Sequence, residues 1–176
     1  MEKQGSFWKA ALIYGAIAGF VGILLGVIFY VMNLYAASWT QWLTMAVSIA
    51  VLVYCLKAYR TEYLGGFASF GQLFLMAMAI GVVSTILSLI YSYVMYTMID
   101  PELLDKIRLA AEEKMMNNPR IPESMLDDMI DRMAKNFEPK RMYTMTVIMG
   151  LVFSAIVGLI LAAILKKEET PLDSAV

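Results

Sequence analysis

The chain contains no histidine and one cysteine, and it has almost no excess charge, with a formal net charge of −1 over 176 residues. Each shortage removes a class of function. Without histidine the commonest general base and the commonest metal ligand are missing together. Cys55 has no second thiol to pair with, and it lies in an apolar run where a thiol packs as an inert small hydrophobe. Balanced charge offers no basic face to displace the counterions of a polyanion, so nucleic acid is not an expected partner. The sequence also lacks a glycine-rich phosphate loop, a cluster with metal-ligand spacing and an activated serine or cysteine arrangement. Carboxylates such as Glu112, Glu113, Asp127 and Asp128 have nothing around them to set them apart from a solvated helix face. No enzyme activity, cofactor or metal is expected.

Apolar residues are abundant instead. They make up 60% of the chain, against about 45–50% in a soluble protein, and the mean hydropathy is +0.67. Four runs, Ala10–Met32, Trp39–Leu56, Leu73–Ile99 and Met142–Leu165, contain no Asp, Glu, Lys, Arg or His. Each is long enough at about 1.5 Å per residue to cross a hydrocarbon core of roughly 30 Å or nearly so. The third is longer than the usual span and should tilt or protrude. The fold class this implies is all-α: a polytopic four-transmembrane-helix bundle forming a single membrane domain over residues 1–176, with a polar helical insertion at 100–141. A short polar tail follows Lys166 and Lys167.

Local signals mark the boundaries. Ser38 with Gln41, and Ser69 with Gln72, have capping-box spacing before the second and third runs. Lys57 and Arg60 close the second run, and Gly65-Gly66 permits a tight turn, so residues 57–69 read as a loop. Pro101 suits the first turn of a new helix capped by Asp100. Tyr35, Trp39, Trp42, Tyr91, Tyr93, Tyr96 and Tyr143 fall together as one interfacial aromatic belt if the spans alternate.

The insertion breaks at Asn118-Pro119 into two amphipathic helices. Leu103, Leu104, Ile107, Ala111 and Met115 form one stripe, and Met125, Leu126, Met129, Ile130, Met133 and Phe137 form the other. Three placements fit: a hairpin or partner-packed pair, helices lying among headgroups, or a methionine-rich groove for a partner. Asp127, Asp128 and Asp131 lack the alternating spacing and turn glycine of a calcium loop.

Within the runs the informative residues are small. Gly15, Gly19, Gly22 and Gly26 form a groove down the first span, in which GxxxG occurs twice. Ala77, Gly81, Ser84, Ser88 and Ser92 make a comparable stripe on the third span, and Gly150, Ser154, Gly158 and Ala162 on the fourth. These faces are expected to pack helices inside the bundle, with the groove also able to receive a second copy or another membrane protein. The spans hold no buried charge, which disfavours coupled transport and voltage sensing. A polar path along the serines of span three is the weaker reading.

Lys3 and Lys9 precede the first span and the turn after it has no Lys or Arg, which puts both termini in the cytoplasm. The insertion argues the other way, with eight Lys and Arg against six on the opposite side. The first hairpin takes precedence.

The segment Tyr59-Arg60-Thr61-Glu62-Tyr63-Leu64-Gly65-Gly66-Phe67-Ala68-Ser69-Phe70-Gly71-Gln72 resembles the signature of a family of bacterial membrane proteins found mainly in Bacteroidota, domain of unknown function 4199. Arg60, Gly65, Gly66, Ser69 and Gln72 match its pattern, and the order of four helices, basic turn and charged insertion is similar. The resemblance implies a bacterial inner-membrane protein and carries no catalytic or ligand-binding residue. The function expected is a non-enzymatic assembly or protein-interaction component, with passive or partner-dependent permeation as the alternative.

Overall fold

A computed structural model describes residues 2–35, 37–119 and 121–167. Six α-helices occur in these segments: α1 (Glu2–Val31), α2 (Ser38–Leu64), α3 (Phe70–Val94), α4 (Leu103–Met116), α5 (Glu123–Asn136) and α6 (Pro139–Leu165). Four helical stretches are long and apolar enough to cross a membrane: Phe7–Val31, Ser38–Leu64, Phe70–Ile99 and Pro139–Leu165. The polar tail expected after Lys167 lies outside the described residues.

Helix ends follow from particular residues. Asn33 takes a left-handed conformation at φ 54°, and Leu34 N–H and Asn33 N–H donate to the carbonyls of Phe29 and Tyr30 at 2.8 and 3.0 Å, a Schellman closure of α1. Ser69 and Gln72 form the expected capping box: Ser69 N–H donates to Gln72 Oε1 at 2.9 Å and Gln72 N–H to Ser69 Oγ at 3.4 Å. Pro139 stands at the start of α6, where its missing N–H costs nothing.

Three boundaries differ from expectation. Ser38 does not cap α2, because Ala37 holds the extended capping position and Ser38 is already helical. Its hydroxyl instead accepts from Lys114 Nζ at 3.2 Å, and Thr40 Oγ1 donates to the Ala37 carbonyl at 2.6 Å. Lys57 and Arg60 do not end α2, which runs on to Leu64, so the loop shrinks to 65–69. Charges can ride on a helix that has left the hydrocarbon, because long side chains reach water or a partner while the backbone stays bonded. Pro101 and Glu102 form a turn rather than the first helical residues of α4. Asp100 therefore does not cap α4, whose capping position is Glu102; it closes the turn before it, its Oδ1 accepting from Glu102 N–H at 3.2 Å and its carbonyl from Leu103 N–H at 3.1 Å.

The long third span changes character near its end. Met95–Ile99 is a π-helical turn, closed by Asp100 N–H donating to the Met95 carbonyl at 2.9 Å. The stretch Phe70–Ile99, at about 1.5 Å per residue, exceeds the hydrocarbon thickness and carries Asp100 clear of it.

Helix α3 is the centre of the bundle and packs extensively against α1 on one side and α6 on the other. Helix α2 lies along α1 and touches α3 and α6 much less. Its C-terminal half is tightly held: Cys55 and Leu56 are fully buried, with Ala10 and Ala11 from α1, Leu73 and Met76 from α3, and Ala162 from α6. Toward its N-terminus α2 stays on α1, where Trp39 packs edge-on against Phe29, but it parts from α3 and α6, and Trp39 and Trp42 are exposed. The bundle is therefore solid at one end and splayed at the other, where α4 and α5 meet as a hairpin and α5 touches α6.

Candidate functional site

In a bilayer no hydrophobic drive pulls helices together, so close backbone approach and van der Waals contact must do it. The small residues create that approach at definite points. A Cβ at Gly15 would stand 2.5 Å from Val83 Cβ, one at Gly19 2.6 Å from Leu87 Cδ1, and one at Gly26 3.1 Å from the Tyr91 ring. On the other side of α3, Gly158 would meet Ala77 Cβ at 2.9 Å, Gly150 would meet Thr85 Oγ1 at 2.6 Å, and Gly81 would collide with Ser154. Glycines thus seat α1 and α6 against the two flanks of α3.

Gly22 is different. A Cβ there would meet nothing within 4 Å. It does not seat a neighbouring helix; it forms part of the wall of a half-open cavity of about 390 Å³ bordered by α1, α2, α3 and α6. The cavity begins where the packed core ends, at Leu52 and Ile80, and continues toward the splayed end. Leu25, Val47, Val51 and Phe153 give it apolar walls. Hydroxyls give it a polar side: Ser84, Thr85, Ser88 and Ser92 from α3 face the same space as Ser48 from α2.

These hydroxyls are unequal. Thr44, Ser84 and Thr146 donate back into their own helices, to the carbonyls of Thr40, Gly81 and Met142, at 2.9, 3.1 and 3.0 Å. Ser48, Ser88 and Ser92 take no hydrogen-bond partner among the described residues. Tyr91, expected in the interfacial belt, turns inward instead, over Gly26 and against the cavity. A Cβ at Gly26 would press on that ring, so glycine gives it its easiest fit. Trp39, Trp42 and Tyr93 do stay outside, exposed on the bundle surface.

The signature turn stitches the solid end. Gly65 and Gly66 take positive φ values of 67° and 94°, and Gly66 N–H donates to the Arg60 carbonyl at 2.9 Å. Arg60 Nη1 donates to the Leu165 carbonyl at 2.8 Å, placing a cation at the C-terminal end of the α6 dipole. Arg60 Nε is buried and has no acceptor among the described residues. Ala68 and Lys167 exchange two backbone hydrogen bonds at 2.8 and 3.0 Å, and Lys167 Nζ sits 4.9 Å from the Phe67 ring centroid. Tyr14 donates to Glu62 Oε2 at 2.8 Å, tying α1 to α2. Arg60, Gly65, Gly66, Ser69 and Gln72 are therefore brought together as a clasp between α2, α3 and the end of α6.

A second clasp holds the splayed end. Lys106 Nζ pairs with Asp100 at 3.1 Å, and Tyr30 donates to Asp100 Oδ2 at 3.3 Å. Partial burial works against ionisation of Asp100, but the bonds from Lys106, Tyr30 and Glu102 N–H outweigh it and hold the carboxyl below its ordinary value. The bond to Asp100 raises Lys106 in turn. With Lys114 on Ser38, these contacts fasten α4 over the α1–α2 turn. Asp127, Asp128 and Asp131 lie exposed on α5, with Asp128 paired to Arg132 at 2.9 Å.

Spacing in the sequence marks both the glycine contacts and the clasp at the turn. It does not mark the cavity, because the hydroxyl stripe of α3 reads equally well as a packing face until the position of α2 is known.

Four long apolar helices, clasped at both ends and packed through glycine, define an integral multi-pass membrane protein. The chain belongs to the family described as protein of unknown function (DUF4199), whose model matches residues 13–167. No curated protein and no solved structure matches it.

Proposed function

We propose that the protein is a non-enzymatic assembly or interaction component of the bacterial inner membrane, acting through the α4–α5 hairpin. The observation that carries this reading is the apolar face of α5. Met125 is 57% and Met129 38% exposed, although both lie outside the spans where lipid would cover them. Charged residues fill the opposite face of α5, and the Asp100 and Lys114 contacts fix the hairpin to the bundle. Methionine adapts to irregular partner surfaces, which suits such a face to a membrane protein partner. Permeation, the alternative reading, draws support from the hydroxyl-lined cavity. Against it stands the solid end, where Leu56, Leu73 and Met76 are fully buried and would block a path.

Both termini face the cytoplasm and the hairpin the periplasm in this reading, on the charge bias around α1. A thiol introduced as Ala110→Cys should react with an impermeant reagent in spheroplasts, with buried Cys55 silent; reaction only after lysis would reverse the orientation. The function is tested by a photo-crosslinking residue at Met125 or Met129 in native membranes. A discrete protein adduct, lost with Met129→Lys when the crosslinker is at Met125, is expected. Adducts to lipid alone would make α5 an interfacial anchor.

A further inference from the structure

We propose that the cavity between the four spans is a binding site for an uncharged lipid bearing ester or hydroxyl groups, such as a diacylglycerol, which enters from the bilayer between α2 and α6. This goes beyond the interaction reading and does not depend on it.

Size comes first. About 390 Å³ falls in the range of roughly 300–1,000 Å³ usual for small-molecule sites. The polar lining sets the chemistry. Ser48, Ser88 and Ser92 have hydroxyls without partners among the described residues, so they can both donate to ester carbonyls and accept from hydroxyls. From Ser84 to Ser92 the strip on α3 extends about 12 Å at helical rise, long enough for a glycerol diester head with the first carbons of its chains. Leu25, Val47, Val51 and Phe153 offer apolar contact alongside.

Charge excludes the commoner lipids. Among the described residues no Lys, Arg, Asp or Glu lines the cavity, so a phosphate brought to this depth would be desolvated without a counter-ion. Access follows from the packing. Helix α3 is covered by α1 and α6, and α1 covers one side of α2, which leaves the sparse α2–α6 edge as the way in. The solid end below Leu52 and Ile80 gives the site a floor. Gly22 leaves its part of the wall open, since even a Cβ added there would meet nothing within 4 Å.

The test uses the full chain in phosphatidylethanolamine vesicles containing a diacylglycerol with a diazirine near its ester, or a phosphatidylglycerol with the same chains and diazirine. After irradiation, labelled residues are mapped by mass spectrometry. The neutral probe should label residues within Thr44–Val51 and Ser84–Ser92 and be displaced by excess dioleoylglycerol. The anionic probe should label only lipid-facing positions such as Leu24 and Ile90. Gly22→Leu should abolish cavity labelling while the melting temperature holds, and Ser88→Ala, which leaves the volume unfilled, should weaken it by about five-fold, the effect of one neutral hydrogen bond. Equal labelling by both probes, or cavity labelling indifferent to both substitutions, would overturn the proposal. So would labelling confined to the outer surface.

Discussion

Gly15 and Gly22 lie two turns apart on the same face of α1, yet they should respond in opposite ways to the same methyl group. At Gly15 the added Cβ would stand 2.5 Å from Val83 Cβ, an atom bonded directly to the α3 backbone and unable to swing aside. Ordinary carbon contact is about 3.5–4.0 Å, so α1 and α3 would have to part by about 1–1.5 Å. Overpacking of this kind costs about 1–3 kcal/mol in soluble cores. In a bilayer the lost helix–helix contact is not replaced by any hydrophobic drive. At Gly22 the methyl meets nothing within 4 Å, and alanine favours the helix over glycine by about 1 kcal/mol. That helix gain is common to both sites, so the difference between Gly15→Ala and Gly22→Ala isolates the packing cost of about 1–3 kcal/mol. At about 2–4 °C per kcal/mol for a chain of this size, the two variants should melt roughly 2–12 °C apart in detergent, with Gly15→Ala the lower. Leu24→Ala, at a position 60% exposed to lipid, is the control and should change little. Equal melting temperatures for the two glycine variants would refute the assignment of Gly15 to the α1–α3 contact.

Arg60→Ala removes the hydrogen bond to the Leu165 carbonyl and should destabilise the bundle by about 1.5–3 kcal/mol, the range for a charged donor. Loss of amide-exchange protection at the end of α6, greater than in α1, is the measurement that checks it. Gly65→Val should cost at least about 1 kcal/mol, because a β-branched residue is strained at φ 67°, whereas Gly71→Ala should not, since nothing lies near that position. Thermal unfolding of the two variants compares them directly. The Asp100–Lys106 tether has a definite pH window. Asp100 sits below its ordinary 3.8, so its contribution is complete above that value and is lost as pH falls through the lower folded one. Lys106 sits above its ordinary 10.5, so its contribution is complete below that value and is lost as pH rises through the higher one. A spin label at Ala110 should therefore gain mobility at both extremes. Asp100→Asn should raise its mobility at neutral pH and abolish the acid transition.

The four spans were legible in the sequence because a bilayer imposes a length and a polarity that a one-dimensional pattern can meet or fail. Helix periodicity also put Gly15, Gly19 and Gly26 on one face, and capping chemistry identified Ser69 and Gln72, since both are local geometries. Local signals misled where a partner distant in sequence competed. Ser38 has the spacing of a cap, but its hydroxyl goes to Lys114, and Arg60 looks like a stop signal, but the α6 carbonyl it reaches lets α2 continue. What only the tertiary structure decided is where the helices part. Gly22 carries the same pattern as its neighbours, and Ser88 resembles any packing serine, until α2 leans away from α3 and α6 and leaves a cavity beside them. That lean depends on the tight contacts around Cys55 and Leu56 at one end and the exposed Trp39 and Trp42 at the other. Periodicity assigns a residue to a face of its own helix; whether that face meets another helix or open space depends on helix directions that no single segment encodes.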